Sequence, residues 1–127
     1  MIILGIDYGE KKSGVAEARS GLVEPLVVLK TEKLRDWIVN FNQREKIQKI
    51  VFGLPGGVLQ QKIIKIAEEI KNFLSIEVDY FNEELTTLDA RKILGKLKRK
   101  RDYKKRMEDA IAAAIILELY LERRKNV

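Results

Sequence analysis

The chain has 127 residues, 46% hydrophobic and 35% charged, with a formal net charge of +6 and neither cysteine nor histidine. That length suits one ordinary domain of the roughly 100–200 residues such units take, and the composition is that of a globular chain. The missing residue types exclude disulfides, thiolate nucleophiles, zinc-thiolate sites and imidazole bases. Any catalysis therefore rests on carboxylates, lysines or hydroxyls, and any metal is a hard, oxygen-bound cation such as magnesium or manganese.

Met1 to Asp7 is a near-continuous apolar run ending just before Gly9, which predicts a central strand buried on both faces. Gly14 to Ala18 and Leu22 to Leu29 read as second and third strands joined at Ser20 and Gly21, an antiparallel meander. Thr31 is placed to cap a helix running to about Glu45, with Leu34, Trp37, Ile38 and Phe41 at helical spacing. Ile47 to Phe52 is a fourth strand, stopped by Gly53, Pro55, Gly56 and Gly57. Leu59 to Leu74 is a second amphipathic helix whose inner face carries Ile63, Ile66, Ile70 and Phe73.

Ile76 to Phe81 alternates as a fifth strand. Thr86, with Asp89 three residues on, approximates a capping box before a helix with Ala90, Ile93, Leu94 and Leu97 inside. A last helix, from about Lys105 to Glu122, is apolar nearly all round between Ala110 and Leu117 and should lie deep against the sheet. That eight-residue run is the longest apolar stretch, against the roughly 20 residues of a membrane span. The N-terminus has no basic segment ahead of an apolar one. A soluble, cytoplasmic protein with no membrane partner is expected. The fold class is α/β, with a five-stranded mixed sheet that is antiparallel over its first three strands and then parallel through right-handed crossovers. A single domain over residues 1–127 is expected.

The positive charge is concentrated. Lys96 to Arg106 holds eight basic residues and one acid, Asp102, so this segment carries +7 and the rest of the chain −1. Such density with Tyr103 interleaved suits exchange of counterions for a phosphate backbone, with Lys98, Arg99, Lys100, Arg101, Lys104 and Lys105 as candidate contacts. The alternative is a solvated, lysine-rich helix end.

Asp7 ends a buried strand beside Gly9, where a backbone without side chains lets a phosphate come close; a turn aspartate is the other reading. Glu83 follows the fifth strand, at the same carboxyl edge as Asp7 if those strands are parallel, or else is a solvated acid before a helix. Asp109 directly precedes the apolar run, where an unpaired carboxylate is costly and a metal or a basic neighbour relieves it. Its alternative is a first-turn acid held by backbone donors. The loop from Gly53 to Gly57, Gly56 above all, offers backbone amides to a phosphate or is simply a strand-to-helix turn.

Four patterns stand in order: Gly5-Ile6-Asp7-Tyr8-Gly9 with Gly14-Val15-Ala16; Gly53-Leu54-Pro55; Glu83-Glu84-Leu85-Thr86-Thr87; and Asp109 through Leu117. Together they resemble the YqgF-type family of Holliday junction resolvases, also described as pre-16S ribosomal RNA nucleases. The resemblance covers nearly the whole chain and implies a ribonuclease H-like fold. It also implies Asp7, Glu83 and Asp109 as catalytic and metal-binding acids. Asn82 and Glu84 stand where the family usually carries an acid and an arginine, and Glu10 where it carries a small hydroxyl. Three carboxylates around magnesium suit phosphodiester hydrolysis. The expectation is therefore a metal-dependent endonuclease acting on structured RNA or DNA, with a homodimer left open. A ribonuclease H-like module that binds nucleic acid without cutting is the alternative. An actin-like ATPase or sugar kinase, whose phosphate loop Gly5-Ile6-Asp7-Tyr8-Gly9 with Gly14 also resembles, ranks last, because such proteins close two domains over a nucleotide and 127 residues hold one.

Overall fold

The apolar opening forms the central strand, and everything else is arranged around it. The computed structural model describes residues 1–82 and 101–125. The strands are β1 (Ile2–Asp7), β2 (Lys12–Arg19), β3 (Leu22–Lys30), β4 (Ile47–Leu54) and β5 (Glu77–Asn82). They form one sheet in the order β3-β2-β1-β4-β5. β1–β2 and β2–β3 are antiparallel, while β1–β4 and β4–β5 are parallel. This is the mixed sheet expected from the sequence. The helices are α1 (Leu34–Arg44), α2 (Val58–Leu74), α3 (Arg101–Arg106) and α4 (Glu108–Lys125). The expected helix over Ala90 to Leu97 with its Thr86 cap lies outside the described residues.

Alternation along β1 sorts the core into two layers. Ile2, Leu4 and Ile6 face Ile38 and Phe41 of α1 and Ile63 and Ile70 of α2. Ile3 faces the other way, towards Ile111, Ile115 and Leu117 of α4. Fully buried Ile111 and Leu117 each contribute about 1.5–3 kcal/mol relative to exposure. As its all-round apolar character requires, α4 lies deep.

Its approach depends on a stripe of small residues. Ladder partners share a face, so Ile3 with Ala18, Gly5 with Ala16, and Asp7 with Gly14 all present the α4 side. A Cβ on Gly5 would sit 2.9 Å from the Ala113 carbonyl oxygen and 3.0 Å from Leu117 Cβ. One on Gly14 would collide with the carbonyl of Asp109. The glycines are required here because the helix backbone occupies their side-chain space.

Three local expectations are corrected. Thr31 does not cap α1: it starts a single 3-10 turn, Thr31–Lys33, and its hydroxyl turns back to the β1–β2 turn. Phe73 is not an inner residue of α2. It is 61% exposed with the Arg35 guanidinium 5.2 Å above its ring, while Ala67 takes the inner position between Ile63 and Ile70. The last helical segment is not continuous from Lys105, because α3 and α4 meet at a turn on Met107. The Met107 and Ile111 amides still bond the Tyr103 and Met107 carbonyls, which carries the chain smoothly into α4.

Candidate active site

Parallel β1, β4 and β5 all end on one edge of the sheet, and segments that carry sequence-distant acids meet there. Asp7 is the last residue of β1 and half-buried on the α4 face. Gly14 stands opposite it in the ladder, and the Asp109 backbone rests on Gly14. Opposed Cβ positions in such a ladder are about 5 Å apart, so Asp7 and the first turn of α4 are neighbours. Asp109 is also half-buried. Residues 102 positions apart are thus joined through a glycine that permits the contact.

Glu83, the third expected acid, lies outside the described residues. Its chain neighbour Asn82 ends β5 at the same edge, paired with Leu54 of β4. Because β4 intervenes, Asn82 stands two strand spacings from β1, about 10 Å. Among the described residues no three acids come together, so a three-carboxylate site needs one from outside them. The carboxylates of Asp7 and Asp109 are hard oxygen donors of the kind magnesium takes.

Two glycine turns border this edge. Both polar backbone groups of Gly9 are engaged: its N–H donates to Ser13 Oγ at 3.4 Å, and its carbonyl accepts from Thr31 Oγ1 at 2.6 Å. A Cβ on Gly9 would strike the Lys12 carbonyl, so the turn itself demands glycine. After β4, Gly56 and Gly57 take φ of 84° and 71°, and Gly57 precedes α2 with no side-chain cap. The conformational requirement there is positive φ, which glycine alone adopts without cost. Of the basic candidates, Lys98, Arg99 and Lys100 lie outside the described residues and Arg101 is the first described residue of α3. Lys104 is half-exposed and Lys105 exposed in α3, just ahead of α4 and Asp109.

A second polar cluster, not foreseen from the sequence, sits towards the opposite end of the sheet. Lys49, with a side chain 7% exposed, donates to Tyr120 Oη at 3.0 Å and lies 3.5 Å from Glu77. Tyr120 donates in turn to Asp79 at 2.7 Å, and Arg124 donates to Tyr120 at 3.1 Å. The hydrogen bond to Tyr120 leads the causes that raise the Lys49 ammonium, against the pull of burial. Burial alone would push the Asp79 carboxyl up, but the bonds from Tyr120 and the Tyr80 amide, with the Lys49 and Arg124 charges, hold it below its ordinary value. Burial also raises the Tyr120 phenol. The only sequence signal was a lysine in a strand that is apolar from Ile50 to Phe52. The cluster fastens the end of α4 to β4 and β5.

The family model described as "RuvX: Holliday junction resolvase" matches residues 1–123. Relatives named "Putative pre-16S rRNA nuclease" include one from Caldanaerobacter subterraneus subsp. tengcongensis, 31% identical and covering 99% of both chains. Another, from Phocaeicola vulgatus, is 31% identical and covers 98% of both. Among solved structures, the fowlpox virus Holliday junction resolvase superposes with a TM-score of 0.64 at 16% identity, over 97% of this chain and 99% of that one. Thermus thermophilus RuvC, solved with a Holliday junction substrate, gives 0.61 at 16% identity over 97% and 96%. These likenesses show the ribonuclease H-like fold. With a family model matched from residue 1 to residue 123 and relatives aligned nearly end to end, the chain belongs to the RuvX family of Holliday junction resolvases.

Proposed function

We propose that this protein is a metal-dependent endonuclease that hydrolyses phosphodiester bonds in structured nucleic acid, either in processing the 5′ end of precursor 16S ribosomal RNA or in resolving Holliday junctions. The observation that carries the reading is the meeting of Asp7 and Asp109 across Gly14 at the carboxyl edge of the sheet. The names of the relatives and the family description point the same way.

Asp7, Asp109 and Glu83 would hold magnesium or manganese. The donor set fits, being carboxylate oxygens in a chain without histidine or cysteine. When bound, such an ion lowers the pKa of a water and neutralises charge on the phosphate. The chain's own residues supply the rest. The small residues of the stripe fix α4, and with it Asp109, beside Asp7. The basic segment, Lys98 to Arg101 with Lys104 and Lys105, neutralises backbone phosphates. The turn at Gly56 borders the edge without a side chain, which leaves room for a phosphate to approach, whereas at Gly9 that space is taken by the Lys12 carbonyl and the glycine serves the turn itself.

The test is cleavage of four-way DNA junctions and of precursor 16S ribosomal RNA, with magnesium and with EDTA. Magnesium-dependent cleavage of either supports the proposal. Tight binding with no cleavage of either supports the non-catalytic module instead.

A further inference from the structure

The turn that follows Asp7 is held by a closed ring of hydrogen bonds. Thr31 Oγ1 donates to the Gly9 carbonyl at 2.6 Å, so the 2.7 Å contact between the two hydroxyls has Ser13 Oγ as donor. Ser13 Oγ accepts in turn from the Gly9 N–H at 3.4 Å. A backbone bond from the Thr31 N–H to the Lys11 carbonyl, at 2.9 Å, closes the same junction. Ser13 is fully buried. The ring ties the end of β3 and the start of β2 to the β1–β2 turn, at the edge where Asp7 ends.

This junction fixes the backbone that carries two lysines. Lys12 and Lys30 are ladder partners and both are exposed. Strand alternation puts Lys12 on the face of Gly14, hence of Asp7, and two residues further out, about 6.6 Å along the strand. Lys30, directly opposite, shares that face, and the two Cβ positions are about 5 Å apart. Directly opposed like charges destabilise a ladder. Neither lysine has an ion pair among the described residues. Glu10 and Glu32 lie nearby, but Lys11 and Lys33 offset them, so the patch stays positive.

A pair of lysines without ion-pair partners among the described residues, on a backbone fixed by the junction and beside an acidic site, suits successive phosphates of one strand. We propose that Lys12 and Lys30 form a phosphate bracket that grips the sugar-phosphate backbone of the nucleic-acid substrate on the β2–β3 side of Asp7, opposite the flank of β4 and β5. The inference rests on the nuclease reading and adds a second contact to the basic segment after residue 95. Thr31 and Ser13 are its positioning residues.

The experiment measures binding of the full chain to a fluorescent four-way DNA junction and to a precursor ribosomal RNA fragment, with EDTA present, across a salt series. In Lys12→Gln/Lys30→Gln, the slope of log affinity against log salt should fall by about 1.8, at about 0.9 for each phosphate of duplex DNA no longer neutralised. The melting temperature should be unchanged or higher at low salt, because a repulsion has gone. Lys46→Gln/Lys71→Gln removes the same charge from exposed positions outside the bracket and should keep the wild-type slope. Thr31→Val should weaken binding severalfold at unchanged slope, since it loosens the bracket without removing charge. An unaltered slope in Lys12→Gln/Lys30→Gln, or an equal fall in the control, overturns the bracket. Wild-type affinity in Thr31→Val overturns the positioning role. If the wild type binds with salt dependence but never cuts with magnesium, the nuclease reading fails while the bracket is still decided by the slopes. If it binds neither substrate, both fail.

Discussion

The carbonyl of Asp109 occupies the space in which Gly14 would carry a Cβ, and Gly14 is the ladder partner of Asp7. The contact between strand and helix therefore sets the spacing of the two acids. Gly14→Ala should cost about 1–3 kcal/mol in denaturant unfolding, the usual penalty of overpacking, and should lower cleavage per folded molecule by displacing Asp109. A variant with wild-type stability and cleavage would show that α4 is free to shift without consequence.

Tyr120 is the hub of the cluster at the far end of α4. Tyr120→Phe removes the hydroxyl that accepts from Lys49 and donates to Asp79, and leaves a buried ammonium without its hydrogen-bond acceptor, with Glu77 at 3.5 Å as its ion-pair partner. The expected loss is about 1–3 kcal/mol of stability. Cleavage per folded molecule should be retained, because the hub lies far from Asp7. Chemical denaturation and cleavage measured on the same preparation separate the two effects.

Asp79 gives the fold a pH dependence of known sign. Its carboxyl is held below the ordinary value, so its contribution is present above the unfolded pKa of about 3.9 and disappears as pH falls through the lower folded value. Stability measured from pH 6 down to pH 2 should drop less steeply in Asp79→Asn than in the wild type. Parallel curves would show that Asp79 gains nothing from its partners.

The basic segment should act on binding alone. Replacing Lys98, Arg99, Lys100 and Arg101 with Ser should flatten the salt dependence of nucleic-acid binding, by about 0.9 in slope for each phosphate that these side chains neutralise, with little change in folding. An unchanged slope would leave the segment as a solvated helix end.

Much of this molecule was legible in its residues. The apolar run before Asp7, the antiparallel meander and the alternating strands and helices pointed to the mixed sheet, because periodicity and turn residues act locally, while the strand order β3-β2-β1-β4-β5 came with the structure. The edge shared by Asp7 and the end of β5 followed from the parallel crossovers. Less visible was what depends on contact across the chain. That Gly14 is a seat for α4, that Thr31 closes a ring on Gly9 rather than capping a helix, and that Lys49 finds Tyr120 all require knowing which distant segments meet. Phe73 sits at helical spacing from Ile70, yet α2 buries a narrower stripe, with Ala67 inside and the ring left under Arg35. Asp7 and Asp109 stood out one at a time, as an acid closing a buried strand and an acid ahead of an apolar run, but their placement on either side of Gly14 did not.

The central claim is that Asp7, Glu83 and Asp109 share a metal site, and the most direct measurement is unfolding with and without magnesium for the wild type, Asp7→Asn, Glu83→Gln and Asp109→Asn, alongside cleavage. Magnesium should stabilise the wild type by mass action, by about 2.7 kcal/mol at a hundredfold excess over its dissociation constant. Each variant should lose both that gain and cleavage. Without metal each should be no less stable than the wild type, because crowded carboxylates repel one another. If all three variants keep the magnesium response and wild-type cleavage, the proposed site is wrong.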